Sequence, residues 1–186
     1  MNKIFIALLL LAAVPATAQL EKGTKLAGIQ TNLLFNDYYN ASLAFSFGSS
    51  GHDIGLNIIP TVGWALQRNW LVGAQATFGL ESVKNSGLGP GLDYTETYFD
   101  LGIAPFTRLY LDLGKNGRLK AFGVAALELI HTNIKKDISQ SYTKNTAIAS
   151  IGGGLAYFGK RTTIDLSLST SALRLGFYRV IAYRKK

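Results

Sequence analysis

The sequence predicts an all-β protein, an eight-stranded antiparallel up-and-down transmembrane β-barrel. Apolar and polar residues alternate with a period of two along most of the 186 residues, which is the pattern of a strand with two different faces. Short and long polar connections follow one another between these segments, as in a meander of hairpins. The apolar face of each segment carries almost no charge. No helix is predicted beyond the N-terminal segment.

The N-terminus is predicted to be a signal peptide. Lys3 supplies a positive charge, residues 4–14 form an apolar run, and Ala16-Thr17-Ala18 provides small residues for cleavage. The apolar run is too short to cross a bilayer comfortably. The expected organisation is therefore a signal peptide at 1–18 followed by one barrel domain at 19–186.

Eight alternating segments are predicted to form the barrel wall. In chain order they are 25–35, 53–66, 70–82, 98–113, 118–132, 147–159, 162–169 and 173–183. Runs of this kind suit membrane strands, which need about 9–11 residues. Segment 38–47 also alternates. Because a barrel with both ends on one side needs an even number of strands, we expect 38–47 to be an extension or hairpin within the first long connection.

The predicted connections fall into two classes. Three are short and basic: 67–69, 114–118 and 159–161. Three are longer and rich in Gly, Ser and Asn: 36–51, 83–93 and 134–145. The connection around residues 169–172 is short where the alternation requires a long one.

The segment TTIDLSLS at 162–169 shows which face is expected to meet lipid. Leu166 and Leu168 alternate with Asp165 and Ser167. A soluble barrel would carry many Lys and Glu residues on its wet face, but here that face is mostly Gly, Ser, Thr, Asn and Gln. Small side chains suit the narrow inside of an eight-stranded barrel. We therefore expect Leu166 and Leu168 to face lipid and Asp165 and Ser167 to face the lumen.

Aromatic residues near the short connections are predicted to form an interfacial girdle. Trp64 and Trp70 flank the first short connection, and Tyr157 lies beside the third. Girdles of aromatic residues mark both interfaces of membrane barrels. Each residue alone could be an ordinary core aromatic, so this prediction depends on the agreement between strands.

The inward face carries a set of ionisable residues that are predicted to form a structural lumen network. Unpaired buried charges are costly, so we expect these groups to pair across the wall. The alternative is an ion or proton path. The members are Glu81, Asp100, Arg108, Asp112, Lys120, Glu128, Asp165 and Arg174.

No catalytic, metal or cofactor site is predicted. The chain has no cysteine, and its histidines, His52 and His131, have no fixed spacing to carboxylates. Catalysis would also need a nucleophile, and no serine is singled out beside His131. The glycine-rich segment 151–159 lacks the spacing of a phosphate loop. Nucleic acid is an unexpected partner despite the net charge of +8, because only 16% of the residues are charged and the basic ones do not cluster.

Three stretches resemble a known family. They are PTVGWALQRNWLVGAQATFGL at 60–80, LGIAPFTRLYLDLGKNGRLKAFGVAALEL at 101–129 and GGGLAYFGKRTTIDLSLS at 152–169. They are similar to the small porin-like outer-membrane β-barrels of Gram-negative bacteria, the OmpA/OmpX-type eight-stranded barrel domain. The resemblance implies an outer-membrane location and carries over no catalytic or binding residue. Such barrels usually end on an aromatic residue that the insertion machinery recognises, whereas this chain ends AYRKK, and Arg179 in its closing strand falls on the lipid-facing side.

The expected function is that of a non-enzymatic integral outer-membrane protein with an envelope structural role or a loop-mediated binding role. Segments 83–93 and 134–145 are the candidate binding loops. The expected partners are outer-membrane lipid and the barrel-insertion machinery, with an extracellular ligand of unknown chemistry. Lipid head groups could also bind a basic rim formed by Lys115, Arg118, Lys160, Arg161 and the terminal RKK. Three alternatives stay open: a narrow channel for small solutes, a soluble periplasmic barrel with an apolar ligand inside, and a lipid-modifying enzyme that uses His131.

Overall fold

The structure, a computed structural model, describes residues 20–35, 46–48, 51–85, 94–114, 116–136, 141–170 and 172–181. The predicted signal peptide at 1–18 lies outside these residues. So do 36–45 and 86–93 of the predicted long connections. Across the described ranges, no helix has the length and apolar character that a membrane crossing requires.

The described chain forms nine strands. They are β1 (Lys25–Phe35), β2 (Ser46–Gly48), β3 (Gly51–Gln67), β4 (Trp70–Asn85), β5 (Tyr94–Asp112), β6 (Leu119–Lys136), β7 (Tyr142–Phe158), β8 (Thr162–Ser169) and β9 (Ala172–Ile181).

Eight of these strands close into a barrel. From β3 to β9, each strand pairs antiparallel with the next, and β1 pairs with both β9 and β3. Gly28, for example, lies between Thr61 on β3 and Tyr178 on β9. Because the barrel is closed, each wall strand has a neighbour on both sides, and the backbone groups of the paired residues form hydrogen bonds on both edges. A protein surrounded by lipid needs this, since no water is present there to bond unpaired backbone groups. The eight-stranded up-and-down barrel is confirmed.

The short strand β2 lies outside the closed wall. It pairs with the beginning of β3, with Gly48 opposite Gly51 and Ser46 opposite Asp53. Residues 46 and 47 thus belong to a small hairpin within the first connection, as expected for the end of segment 38–47. Residues 38–45 lie outside the described residues.

The wall is taller on one side than on the other. Strands β3 to β7 have 16–19 residues, whereas β8 has 8 and β9 has 10. Strand β7 pairs with β6 from Tyr142 onward but with β8 only from Gly152 onward. The additional length lies at the end opposite the short turns.

The prediction of a loop at 134–145 is wrong over much of this segment. Strand β6 continues to Lys136 and β7 already begins at Tyr142, with Ile134 opposite Tyr142. The polar composition of this segment suggested a loop, but its β-branched and aromatic residues continue the ladder. Similarly, 83–85 of the expected loop 83–93 belong to β4.

The outward face of the barrel is apolar and the inward face is polar. On β8, Leu166 and Leu168 are 46% and 64% exposed, whereas Asp165 and Ser167 are 1% and 4% exposed. The same arrangement recurs on the neighbouring strands, where Ile151 and Leu111 are among the most exposed side chains. The predicted orientation is confirmed. A band of exposed Leu, Ile, Val and Phe around a polar interior is the arrangement of a barrel integral to a membrane, and it contradicts a soluble barrel with an apolar ligand inside.

The first and last described residues, Leu20 and Ile181, lie at the same end of the barrel as the short turns. Asn69, in the turn between β3 and β4, adopts a left-handed backbone with φ of 64°. Its N–H donates to the carbonyl of Leu20 at 3.0 Å, and its own carbonyl accepts from the N–H of Tyr110 at 2.8 Å. The turn therefore ties the segment before β1 to the end of β5.

Arg179 lies on the outer face but at the rim. It is the third residue from the end of β9 and is opposite Thr162, the first residue of β8. A long side chain at this level can extend its charge into the interface while its methylene groups stay against apolar surface.

Candidate functional site

An apolar layer fills the lumen at the short-turn end. The ring of Tyr110 lies 5.4 Å from that of Phe122 and 5.6 Å from that of Phe158, centroid to centroid. Leu20, which precedes β1, is 1% exposed and closes this layer from below. The layer comprises Leu20, Leu26, Ala65, Leu71, Phe106, Tyr110, Phe122, Ala156 and Phe158.

Two glycines make room for the rings of this layer. A Cβ atom on Gly73 would lie 2.7 Å from the ring of Phe106, and one on Gly154 would lie 2.8 Å from the ring of Phe122. Both distances are below van der Waals contact. Glycine at these positions lets the wall approach the aromatic side chains closely.

A buried ion pair lies directly above the rings. Arg108 Nη1 on β5 is 2.5 Å from Asp165 Oδ2 on β8, with the two side chains 4% and 1% exposed. The guanidinium also lies 4.8 Å from the centroid of Phe122 and 5.6 Å from that of Tyr178. The charge is thus compensated by one carboxylate and by aromatic faces.

A second ion pair lies nearer the long-loop end. Arg174 on β9 lies 3.3 Å from a carboxylate oxygen of Glu128 on β6 and donates to Asn32 Oδ1 on β1 at 2.9 Å. Glu128 also accepts from the hydroxyl of Thr77 on β4 at 2.8 Å. One network therefore joins four strands across the lumen.

Neutral polar contacts surround this network. Gln30 Nε2 donates to Thr61 Oγ1 at 3.1 Å and lies 3.3 Å from Gln75 Oε1. On β5, Asp100 accepts from the hydroxyl of Thr132 at 2.6 Å. With these side chains in place, the described lumen is a packed interior.

A further cluster lies above the apolar band at the long-loop end. Glu96 pairs with Lys136 and accepts a hydrogen bond from the hydroxyl of Tyr98. The ammonium of Lys136 lies 5.6 Å from the ring centroid of Tyr94 and 5.8 Å from that of Tyr142. The outward neighbours at this level are polar, as at position 135, so the cluster lies beyond the membrane-spanning part.

The pKa of Glu96 follows from these contacts. Burial alone would raise it, but the hydrogen bonds from Lys136 and Tyr98 and the positive charge of Lys136 hold the pKa of Glu96 below its ordinary value. The hydrogen bond to Glu96 raises the pKa of Lys136 despite some desolvation. Each partner therefore stabilises the charged form of the other.

Another group of charges lies at the short-turn rim. Lys120 Nζ pairs with Asp112 and donates to Asn69 Oδ1 at 2.9 Å. Arg68 lies 3.7 Å from the other carboxylate oxygen of Asp112, but its side chain is 66% exposed. The pair with Lys120 anchors the end of β5, whereas the exposed pair with Arg68 contributes little.

The structure places the sequence-predicted lumen residues on the inward face at five separate places. Arg108 pairs with Asp165, Arg174 with Glu128, and Asp112 with Lys120. Asp100 contacts Thr132, and Glu81 is half-buried on β4 opposite Tyr98. The set therefore does not form one continuous chain of ionisable groups.

The predicted girdle residues lie on the outer face near the short turns. Trp64 is 44% exposed, and Trp70, the first residue of β4, donates from Nε1 to Thr107 Oγ1 at 2.9 Å. Tyr157 is the penultimate residue of β7 and is opposite Ile164. Their role at a membrane interface stays a prediction.

Several lumen residues were missed in the sequence. Asn32, Thr77 and Gln30 are uncharged, so a search for ionisable residues passes over them, although their inward parity was visible. Glu96 and Lys136 lie in segments where polar composition predicted the end of the strands. Nothing in the sequence indicated that Leu20 closes the lumen, because it precedes the first strand.

His131 does not form a site with the lumen. His131 lies on the outer face, and its Nδ1 is 2.7 Å from Asn145 Oδ1. The nearby carboxylates of Asp100 and Glu128 are on the opposite face of the sheet. The side chain of His52 lies outside the described side chains. No group of three or more metal-ligating side chains occurs among the described residues.

The comparisons with known proteins found only weak likenesses to solved structures. No protein-family model matches the chain, and no curated protein matches it. A structure titled "De novo design of transmembrane beta-barrels" is 9% identical with a TM-score of 0.45 and covers 88% of this chain and 99% of its own. The outer membrane protein Ail of Yersinia pestis in a phospholipid nanodisc is 13% identical, with a TM-score of 0.36 over 87% of this chain and 99% of its own.

A crystal structure of Ail, named there as the attachment invasion locus protein of Yersinia pestis, is similar to the same degree. It is 14% identical with a TM-score of 0.35 and covers 86% of this chain and 95% of its own. Values this low carry no argument about activity. The resemblance to small eight-stranded outer-membrane barrels is confirmed at the level of the fold, and it rests on the closed sheet and its apolar exterior.

Proposed function

We propose that the protein is a non-enzymatic, non-conducting barrel of the outer membrane that presents a binding surface beyond the lipid. The observation that carries this proposal is the combination of an apolar exterior with a lumen filled by Arg108–Asp165, Arg174–Glu128 and the aromatic layer. A packed interior of this kind supports the wall and offers no aqueous path.

The tall side of the wall supports a binding role. Strands β4 to β7 continue past the apolar band, and their outward residues there are polar, including Thr97, Lys135 and Thr143. Binding surfaces commonly lie where irregular segments are held by a rigid scaffold. Here the strand ends at Asn85, Tyr94, Lys136 and Tyr142 would present such a surface.

A non-enzymatic role is supported by the separation of His131 from the described carboxylates. His131 faces outward beside Asn145, while Asp100, Glu128 and Asp165 face the lumen. A catalytic histidine needs a nucleophile and an orienting group within hydrogen-bond reach. Asn145 is the partner that the structure gives it.

Fractionation of cells tests the location, and boiled and unboiled samples compared on a gel test the barrel. We expect the protein in the outer-membrane fraction, with a different mobility before boiling. Recovery in the soluble periplasm without a mobility shift would overturn the proposal. Planar-bilayer recording separates the alternatives, because discrete conductance would show a channel and would contradict the packed lumen.

A further inference from the structure

A shallow groove of about 640 Å³ lies on the outer wall across four strands. One row of paired residues crosses it, from Ala76 on β4 through Ile103 and Leu129 to Ala147 on β7. The two alanines leave space between the larger side chains, and Leu101 lines the groove beside them. The groove is therefore an indentation in a surface that otherwise carries large apolar residues.

The upper end of the groove is polar. His131 and Asn145 face each other on β6 and β7 and are both exposed. His131 Nδ1 lies 2.7 Å from Asn145 Oδ1, so the two side chains are in hydrogen-bond contact with each other. Further along the outward face of β6 lie Asn133 and then Lys135, which is exposed.

The charges around this end are of one sign. On the outward face of the described strands β5 to β7, the level above His131 carries Lys135, with Thr97 and Thr143 on the neighbouring strands. The carboxylates of Glu96 and Asp100 belong to the inward face. A negatively charged group above the groove would thus meet a cation and polar donors.

We propose that this groove binds one acyl chain of an anionic phospholipid, with the charged head group held at His131 and Lys135. The proposal rests on the membrane location given above. The groove lies on the outer face of the wall and opens toward lipid, so the occupant of the groove is a lipid chain. Since lipid tails are as apolar as leucine, selection of one lipid depends on shape and on polar contacts at its head. The groove supplies the shape, and His131 with Lys135 supplies the contacts.

Lipid retention by groove-filling variants tests the shape. The barrel is purified in detergent, phosphatidylglycerol is added, and bound lipid is counted by native mass spectrometry. In Ala147→Phe, a ring fills the groove, and we expect the retained lipid to be lost. The matched control is Ala149→Phe, which lies two residues along on the same outward face but does not line the groove. This control is expected to retain lipid as the original chain does.

The head-group contacts are tested with a double variant. His131→Gln with Lys135→Gln is expected to remove the preference for phosphatidylglycerol over phosphatidylcholine while phosphatidylcholine retention is unchanged. Equal retention in Ala147→Phe and Ala149→Phe, both migrating as folded barrels before boiling, would overturn the lipid site alone. An original chain that stays soluble without detergent would overturn the membrane location and the lipid site together.

Discussion

Arg108 on β5 and Asp165 on β8 form an ion pair of 2.5 Å inside the barrel, between side chains that are nearly inaccessible to water. The two strands are separated in the wall by β6 and β7, so the contact crosses the lumen. The rings of Phe106, Phe122 and Tyr178 surround the guanidinium at 4.8–5.6 Å. The pair therefore ties opposite parts of the wall together at the level of the aromatic layer.

Removal of one partner of this pair is expected to destabilise the barrel strongly. Asp165→Asn leaves the buried charge of Arg108 without its counter-charge, which costs about 3–5 kcal/mol. Urea unfolding in detergent micelles, followed by tryptophan fluorescence, measures the loss. The double variant Asp165→Leu with Arg108→Met removes both charges and is expected to recover much of the stability. An Asp165→Asn barrel as stable as the original would contradict a structural role for the pair.

The close packing at Gly154 predicts a large effect from a small substitution. Gly154→Ala places a methyl group 2.8 Å from the ring of Phe122 and against the backbone of β8, and overpacking of this kind costs about 1–3 kcal/mol. Gly123→Ala is the matched control, since the nearest atom to its Cβ would be 4.0 Å away. Thermal unfolding of both variants compares them. Equal melting temperatures would contradict the prediction, because they would show that the wall shifts at Gly154 to accommodate the added methyl group.

The lipid-facing position of Leu168 predicts that the free-energy cost of an arginine on β8 depends on its depth in the membrane. Leu168→Arg puts a charge on the outward face near mid-wall, where Arg costs about 2–4 kcal/mol in membrane barrels. Thr162→Arg, on the same face of β8 but at its first residue, is expected to cost much less because the charge reaches the interface. Folding into phosphatidylcholine vesicles, measured by gel mobility, compares the two. Equal losses would place Leu168 outside the bilayer.

The pair between Glu96 and Lys136 predicts a pH window for the upper strands. The pKa of Glu96 is lowered in the folded protein. The contribution of Glu96 to stability is therefore complete above its ordinary pKa of 4.5 and is lost as the pH falls through its pKa in the folded protein. The pKa of Lys136 is raised in the folded protein. The contribution of Lys136 to stability is therefore complete below pH 10.5 and is lost as the pH rises through its pKa in the folded protein. Amide NMR signals of residues 96 and 136 are therefore expected to change in acid.

Glu96→Gln provides the control for this titration. The acid transition of the amide of Lys136 is expected to vanish, because no carboxylate is left to protonate beside it. The signals of β1, whose sequence KLAGIQTNLLF contains no carboxylate, serve as an internal reference. A titration of Lys136 that persists in Glu96→Gln would assign the acid transition to another group.

Sequence patterns predicted the wall but missed how far some strands extend. Alternation put Leu166 and Asp165 on opposite faces, because a strand exposes its side chains to opposite faces in turn, and the small polar residues of one face indicated that it is the inside. Strand ends were less predictable. Polar composition marked 134–145 as a loop, although Ile134 and Tyr142 continue the ladder beyond the apolar band.

By itself, the sequence determined the strand class and the face toward lipid, since both follow from the period-two pattern and its composition. The count of eight wall strands also needed the rule that a barrel with both ends on one side has an even number of strands. Only the tertiary structure decided which inward charges meet. Arg108 could have paired with any inward carboxylate of similar height, and strand tilt and stagger placed Asp165 there and Glu128 beside Arg174. The groove below His131 was likewise invisible in the sequence, because its row of residues comes from four strands whose register exists only after the barrel closes.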